Sequence, residues 1–338
     1  MTGPLSARVA APAGLELPTG PSGVSWRRAT FDDVDAIVEL YAAIAAADHP
    51  EWTETREEVD DELRHSWIDL AADSVIAEAD GQVVATGLQI APPDPETIVR
   101  SIAFGGVRPS HRGRGIGRVL MEWHRTRGRQ HLAASELDLP GWVMFYVEER
   151  NASQLRLAER LGLPLARYFT KMKRDLSIDI PDLPLADGLR LAIPTAADSA
   201  RIMEAKNDAF RDHWGSQPST EEGWTSMMEQ PTSRFDLSVI ALDGDEVAGF
   251  VLTQVYPDDF ASQGYVGGYI PLVGVTRAWR RKGVAPALLA AAFRRYREEG
   301  HEKVALDVDS ENPSGALSLY TGMGFVPETR SVAFVEEF

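Results

Sequence analysis

Apolar residues fall along the chain in two rhythms, one helical and one alternating, and the order of those rhythms occurs twice. Residues 24–29 alternate like a short strand. Val34, Ile37, Val38, Tyr41 and Ile44 then recur at helical spacing. Thr30 is placed to cap that helix, with Asp32, Asp33 and Asp35 in its first turn. A second, acidic helix is expected over residues 56–70. Residues 74–79 and 82–90 read as strands around Asp80-Gly81, a strong hairpin signal. Pro92, Pro93 and Pro95 mark a loop. A strand over 98–107, a basic turn and a helix through Arg127 follow, then a strand at 142–147, a helix at 153–161 and a closing strand at 165–173.

Residues 175–187 are rich in Pro and Asp and read as a linker. Beyond it the series repeats, with a strand at 189–193 and a helix at 196–214 that sets Ile202, Ala205, Ala209 and Phe210 on one face. A helix at 220–228 and a hairpin of 237–242 with 247–255 around Asp243-Gly244 come next. A strand at 269–275, a second basic turn, a helix at 286–299, a strand at 303–308, a helix at 314–323 and a last strand at 326–335 complete it. The order βααβββαβαβ, present twice, points to duplication and to two domains, 24–174 and 188–338. Each is expected to be α+β, with a mostly antiparallel sheet and one parallel central pair. Residues 1–23, made largely of Ala, Pro and Gly, are expected to form a flexible arm.

Composition narrows the function. The chain has 338 residues, 44% of them hydrophobic and 25% charged, the balance of a soluble globular protein. No apolar run approaches a membrane span, no secretory leader is evident, and the default location is cytoplasmic. The absence of Cys removes disulfides, thiolate metal sites and a Cys acyl-enzyme route. The seven His are dispersed without a ligand spacing, so no metal is expected. A net charge of −17, heavier in the C-terminal half, disfavours nucleic acid as partner and suits a cationic small molecule.

Against that acidic background two basic stretches stand out. Residues 272–289, LVGVTRAWRRKGVAPALL, read as an apolar strand, a turn holding Arg280, Arg281, Lys282 and Gly283, and an Ala- and Leu-rich helix. Residues 107–120, VRPSHRGRGIGRVL, share the layout, with Arg112, Gly115 and Gly117 in the places of Arg280, Gly283 and Ala285. A Gly-containing basic turn that opens a helix is suited to phosphate, because the first helical amides lack partners and the dipole is positive there. A P-loop would require Gly-Lys-Ser/Thr and a dinucleotide fingerprint G-x-G-x-x-G, and neither stretch supplies one.

Each stretch resembles the acetyl-coenzyme A loop of GNAT-superfamily N-acetyltransferases, and the pair is similar to a tandem GNAT protein over nearly all of the chain after residue 23. The resemblance implies two tandem GNAT domains, each a mixed sheet flanked by helices, and acetyl-coenzyme A as cofactor. It implies that the strand amides of Val273 and Val275 bind the pantetheine arm, that Arg280 to Ala285 (with Arg281, Lys282, Gly283 and Val284) bind the pyrophosphate, and that Asn312 contacts the cofactor. Val107, Arg112, Gly113, Arg114, Gly115 and Gly117 hold the matching places in the first copy.

The family carries its leaving-group acid in a pattern like L-Y-x-x-x-G-F, and Leu319 to Phe325 (LYTGMGF) matches it, which makes Tyr320 the implied acid. The plain alternative is a buried helix tyrosine. The first copy has Ala158 there, so it is expected to bind without turnover or to shape the acceptor cleft; Tyr146 and Tyr168 lie nearby but off the family position. This plan of an active C-terminal copy beside a degenerate N-terminal one is similar to that of the mycothiol synthases. A Glu on the fourth strand is the base in that group; the matching position here is Tyr269, which argues for a different acceptor. Asp307 and Asp309 share one face of their strand and are the candidate bases, ahead of Glu336 and Glu337. His213 is a candidate for the acceptor cleft.

The leading expectation is an acetyl-coenzyme A-dependent N-acetyltransferase acting on a small, cationic primary amine by direct transfer in a ternary complex, as a monomer or homodimer. A non-catalytic acyl-coenzyme A sensor or scaffold is the alternative. A pure binding module has no use for Tyr320, which favours the enzyme.

Overall fold

A computed structural model of the chain describes residues 3–311 and 315–338; Asn312 lies outside them. The chain forms two compact units, Met1–Arg167 with Ser331–Phe338, and Tyr168–Arg330. The elements in order are α1 (Leu5–Arg8), β1 (Ser25–Arg27), α2 (Val34–Asp48), α3 (Arg56–Arg64), α4 (Leu70–Asp73), β2 (Ser74–Ala79), β3 (Gln82–Ile90), β4 (Val99–Val107), α5 (Ile116–Ala133), β5 (Gly141–Glu148), α6 (Ala152–Arg160) and β6 (Leu165–Asp175). The series continues with β7 (Arg190–Ala192), α7 (Ser199–Phe210), α8 (Glu221–Glu229), β8 (Val239–Asp243), β9 (Glu246–Gln254), α9 (Phe260–Gln263), β10 (Gly267–Val275), α10 (Val284–Glu298), β11 (Lys303–Asp309), α11 (Ala316–Gly322) and β12 (Val326–Glu337).

The repeat read from the sequence is present, and its local causes repeat with it. In the first copy the Asp33 carboxylate accepts from the Thr30 amide at 2.8 Å and hydroxyl at 3.0 Å. In the second, Asp198 accepts from the Thr195 amide at 2.8 Å and hydroxyl at 2.9 Å. Both ties fix the entry into the first long helix of the copy. The first hairpin turns on Asp80 and Gly81, both at positive φ, as a type I′ turn demands. The second departs by one residue: Asp243 pairs with Glu246, so the loop is Gly244-Asp245, with Gly244 at φ 59°.

The closing strands differ most from expectation. Residues 168–175 of β6 leave the first copy and pair antiparallel with β11, from Phe169↔Asp309 to Asp175↔Lys303. Residues 331–337 of β12 pair with β5, from Ser331↔Glu148 to Glu337↔Trp142. Each unit is therefore completed by the other copy's last strand, and the units divide the chain differently from 24–174 and 188–338. An alternating strand shows in sequence which face is apolar but not which strand it pairs with.

The two segments expected to be loose are packed. Leu5 is fully buried and Val9 nearly so, the Leu5 amide donates to Leu137 O, and Leu15 and Leu17 pack on a core cluster of the first unit. Four apolar residues spaced through an Ala- and Pro-rich stretch are enough to seat it. After β6, Leu176 is buried and Ile180, Leu183 and Leu185 pack on the core of the second unit. Buried Arg174 fastens that stretch: its guanidinium donates to the carbonyls of Met323, Asp175, Ile178 and Asp179 and lies 4.6 Å over the Phe293 ring.

Candidate active site and coenzyme cradles

In each unit one parallel pair stops short, and the opening it leaves is where the candidate residues gather. β4 and β5 are paired only from Val99↔Gly141 to Ala103↔Phe145. β10 and β11 are paired only from Gly267↔Lys303 to Tyr269↔Ala305. Beyond those points the strand edge facing the gap carries amides without a ladder, the arrangement an extended ligand arm needs. Val107 lies on that free stretch in the first unit, and Val273 and Val275 in the second.

A basic turn follows each free edge. Gly115, at φ 94°, precedes Ile116 at the start of α5, and Gly283, at φ 76°, precedes Val284 at the start of α10. These left-handed positions turn the following amides outward. The position two before each also has positive φ: Gly113 at 77° and Arg281 at 59°. Val284 itself is buried in the core, so its contribution to the turn is its amide. Ala285 follows in the first turn of α10. A Cβ on Gly117 would meet only ordinary contacts, 3.6 Å from Leu157 and 3.7 Å from Val107, which is why Gly and Ala can share this place.

The two motif arginines each have partners within their own unit. Arg112 does not reach out; it forms a two-bond pair with Asp48, 2.7 Å each, and Asn151 donates to the same carboxylate at 2.9 Å. Arg280 contacts Asp212 at 3.1 Å and the Ala209 carbonyl at 2.8 Å. Both arginines tie their turn to the end of the first long helix of their copy. Arg114 donates to Ser110 O, and exposed Lys282 stacks 4.3 Å over Trp279. Asn151 caps α6 by accepting from the Gln154 amide at 3.0 Å, and it precedes that helix in sequence as Asn312 precedes α11. The sequence reading passed over it, although the same residue type before the same helix was a readable signal.

In the first unit the gap and turn enclose a cleft of about 780 Å³ lined by Gly105, Gly106, Gly113, Gly115, Asn151 and His124, among others. In the second unit the gap brings together Tyr269 and Asp307. The Tyr269 hydroxyl donates to Asp307 Oδ2 at 3.0 Å. Tyr296, fully buried, passes beneath and places its hydroxyl 2.9 Å from the Tyr269 carbonyl. A Cβ on Gly268 would lie 2.1 Å from the Tyr296 ring, so only glycine admits that crossing. Burial in the cleft pushes the Asp307 carboxyl above its usual range, while the Tyr269 bond and nearby Lys171 pull it part of the way back. The carboxylate remains reachable by solvent, as a group that exchanges protons must be.

Asp309 is not part of this pair: it closes the following turn by accepting from the Glu311 amide at 2.9 Å. Glu336 lies in the first unit, held by Arg125 and Arg129. His213 packs on Phe210 at 4.4 Å, with its imidazole pushed down first by burial and then by Arg280. Tyr320 is buried on α11, edge-on to Phe325 at 5.8 Å, and burial pushes its phenol up to about 12. It packs in the core cluster of the second unit together with Val308 and Tyr296.

These features are those of acyl-coenzyme A-dependent transferases. The Acetyltransferase (GNAT) family model matches residues 37–163 and 199–325, and the chain belongs to that family as a tandem GNAT acetyltransferase; enzymes of the family use acyl-coenzyme A. The mycothiol acetyltransferase of Nocardia farcinica is 30% identical over 93% of this chain and 98% of its own. That of Acidothermus cellulolyticus is 32% identical over 65% and 66%. A GCN5-related N-acetyltransferase from Sphaerobacter thermophilus has a similar structure, with a TM-score of 0.71 and 29% identity over 94% of this chain and 97% of its own. A tandem GNAT protein from the clavulanic acid biosynthesis pathway shares the fold, with a TM-score of 0.67 and 16% identity over 93% and 98%. No described helix is long and apolar enough to cross a membrane.

Proposed function

We propose that the second unit transfers the acetyl group of acetyl-coenzyme A to a primary amine of a small, cationic acceptor, directly within a ternary complex. Acetyl-coenzyme A supplies an activated thioester. The single observation that carries the reading is the Tyr269–Asp307 pair at the end of the β10–β11 ladder. Asp307 takes the proton that the attacking amine loses, with Tyr269 fixing which carboxylate oxygen faces the cleft. Tyr320, whose raised phenol keeps its proton at neutral pH, gives it to the departing thiolate. Free β10 amides beside Val273 and Val275 and the turn from Arg280 to Ala285 hold the donor, and Asn312 is its further contact. The first unit binds the same class of coenzyme through Val107 and the turn from Arg112 to Gly117, without turnover, because Ala158 offers no proton.

The relatives are named for mycothiol; the acceptor here is assigned only as an amine, because Tyr269 stands where that group places its carboxylate base. The test is thiol release from acetyl-coenzyme A across a panel of cationic amines, with Asp307→Asn beside the wild type. Turnover cut about 10² to 10⁴-fold by the substitution supports the assignment. Full turnover in Asp307→Asn removes Asp307 from the mechanism.

A further inference from the structure

Deep among the apolar residues of the N-terminal cleft lies an imidazole that the coenzyme cradle does not use. His124 lies on α5, nine residues beyond Gly115, about 13 Å deeper at 1.5 Å per residue. It is 4% exposed and lines the cleft with Leu120, Met121 and Phe145. Its Nδ1 is 2.8 Å from Gln89 Oε1, and no hydrogen bond to Nε2 is seen among the described residues. Gly87 makes room for the ring, since a Cβ there would lie 2.8 Å from Nε2.

A buried chain of polar groups fixes which nitrogen carries the proton. His131 bridges Asp73, 2.8 Å from its Nε2, and Ser101 Oγ, 2.8 Å from its Nδ1. Ser101 then accepts from Gln89 Nε2 at 2.9 Å, which turns Gln89 Oε1 toward the Nδ1–H of His124. An amide oxygen only accepts, so Nδ1 of His124 carries the ring proton and the lone pair is on Nε2. Burial pushes this imidazole down to about 3, so it stays an acceptor at neutral pH rather than becoming a cation. An acceptor on the wall of the cleft, beside Leu120, Met121 and Phe145, can pair with a ligand that brings a donor.

We propose that His124 reads the acyl end of a coenzyme A thioester in the N-terminal cleft, and that the acyl group selected there carries a hydroxyl that donates to Nε2. The proposal rests on the reading of that cleft as a coenzyme site. It makes the first unit a selective binding site for hydroxyacyl thioesters rather than a spent copy. The second unit has Ala292 at the matching place, so the selectivity belongs to the first alone.

The test is calorimetry on the full chain carrying Gly283→Asp, which sets a negative charge in the second phosphate turn and leaves the first cleft to be read. The probes are coenzyme A, butyryl-coenzyme A and 3-hydroxybutyryl-coenzyme A. The expected result is one site, a preference of about tenfold for the hydroxyacyl over the butyryl thioester, and loss of that preference in Gly283→Asp with His124→Phe. Failure of Gly283→Asp to bind coenzyme A at all overturns the coenzyme reading of the cleft and the proposal with it. Binding without preference, or a preference that survives His124→Phe, overturns only the role of His124. Nitrogen NMR of the histidine-labelled wild type provides a measurement independent of that variant. The ring that stays neutral to the lowest pH is expected to show an unprotonated Nε2 that shifts with the hydroxyacyl thioester, and a protonated Nε2 in the free chain refutes the proposal.

Discussion

The two units keep the same frame and divide the chemistry. Both seat the first helix through a Thr–Asp tie, both end a parallel ladder early, and both follow the free edge with a left-handed glycine at a helix start. They part at the positions that face a ligand. By ladder register Tyr269 corresponds to Ser101 and Asp307 to Phe145, Tyr320 corresponds to Ala158, and Ala292 to His124. The second copy thus sets a carboxylate in its gap, with a phenol on the following helix, whereas the first buries its polar groups in a chain that ends on one imidazole. The duplicated fold repeats the gap and the turn, while the groups proposed to move protons stand in one copy.

The largest effect expected from breaking that division is at Tyr320. Tyr320→Phe removes only the hydroxyl and leaves the contact with Phe325, so the fold and coenzyme binding are expected to persist. Turnover is expected to fall about 10² to 10⁴-fold, read as thiol release with binding measured in parallel. Ala158→Tyr in the same background is expected to restore nothing, because the first unit has Phe145 where Asp307 would be needed. Recovery of turnover there would show that the first copy lacks only its acid.

The next effect separates the two turn arginines. Arg112 and Asp48 are 20% and 7% exposed at their side chains, so Arg112→Ala strands a buried carboxylate with only Asn151 beside it. A loss of about 3 kcal/mol from the first unit is expected, measured as an earlier unfolding transition in denaturant. A change within 0.5 kcal/mol, roughly the range of a plain surface substitution, would mean that water replaces the guanidinium without cost.

The frame was legible in the sequence because it rests on local signals: caps, an Asp-Gly turn, helical spacing and two matching basic turns. The class of enzyme was legible for the same reason, since Arg280 to Ala285 and LYTGMGF are contiguous. What escaped was non-local. Nothing in residues 165–175 or 326–337 names a partner strand, so their exchange was invisible. The partners of Arg112 and Arg280 were equally hidden, because sequence shows charge but not the carboxylate that folding brings to it. Asp309 was indistinguishable from Asp307 by alternation alone, and only the position of the Tyr269 hydroxyl separates them. The His124–Gln89–Ser101–His131–Asp73 chain draws on four elements and leaves no motif.

A smaller effect sharpens the role of Asp307. Its carboxyl lies above the ordinary range because burial outweighs the Tyr269 bond and Lys171. The active form is the carboxylate, so activity is lost as pH falls through this raised value, and the acid limb of the rate profile lies above that of an exposed aspartate. The Tyr269 hydroxyl favours the charged form; Tyr269→Phe therefore raises the carboxyl further and moves the acid limb to higher pH. A shift on the order of one pH unit is expected, the worth of one hydrogen bond to a charged group. A limb that moves down or stays put would mean that Asp307 is not the group titrating.

The smallest effect comes from the second turn arginine and completes the contrast with Arg112. Arg280 and Asp212 are 36% and 55% exposed, and Arg277 also reaches Asp212, so Arg280→Ala leaves no buried charge unpaired. An exposed pair of this kind contributes about 0 to 1 kcal/mol, and the second unit's unfolding transition is expected to move by no more than that. The substitution also leaves the backbone amides of the turn in place. If those amides bind the phosphates, the affinity for coenzyme A falls only a few-fold, on the order of 1 kcal/mol or less. A loss of a hundredfold or more would show that the guanidinium itself turns to the pyrophosphate when ligand arrives, and that in this copy the motif arginine trades its tie to Asp212 for a direct contact.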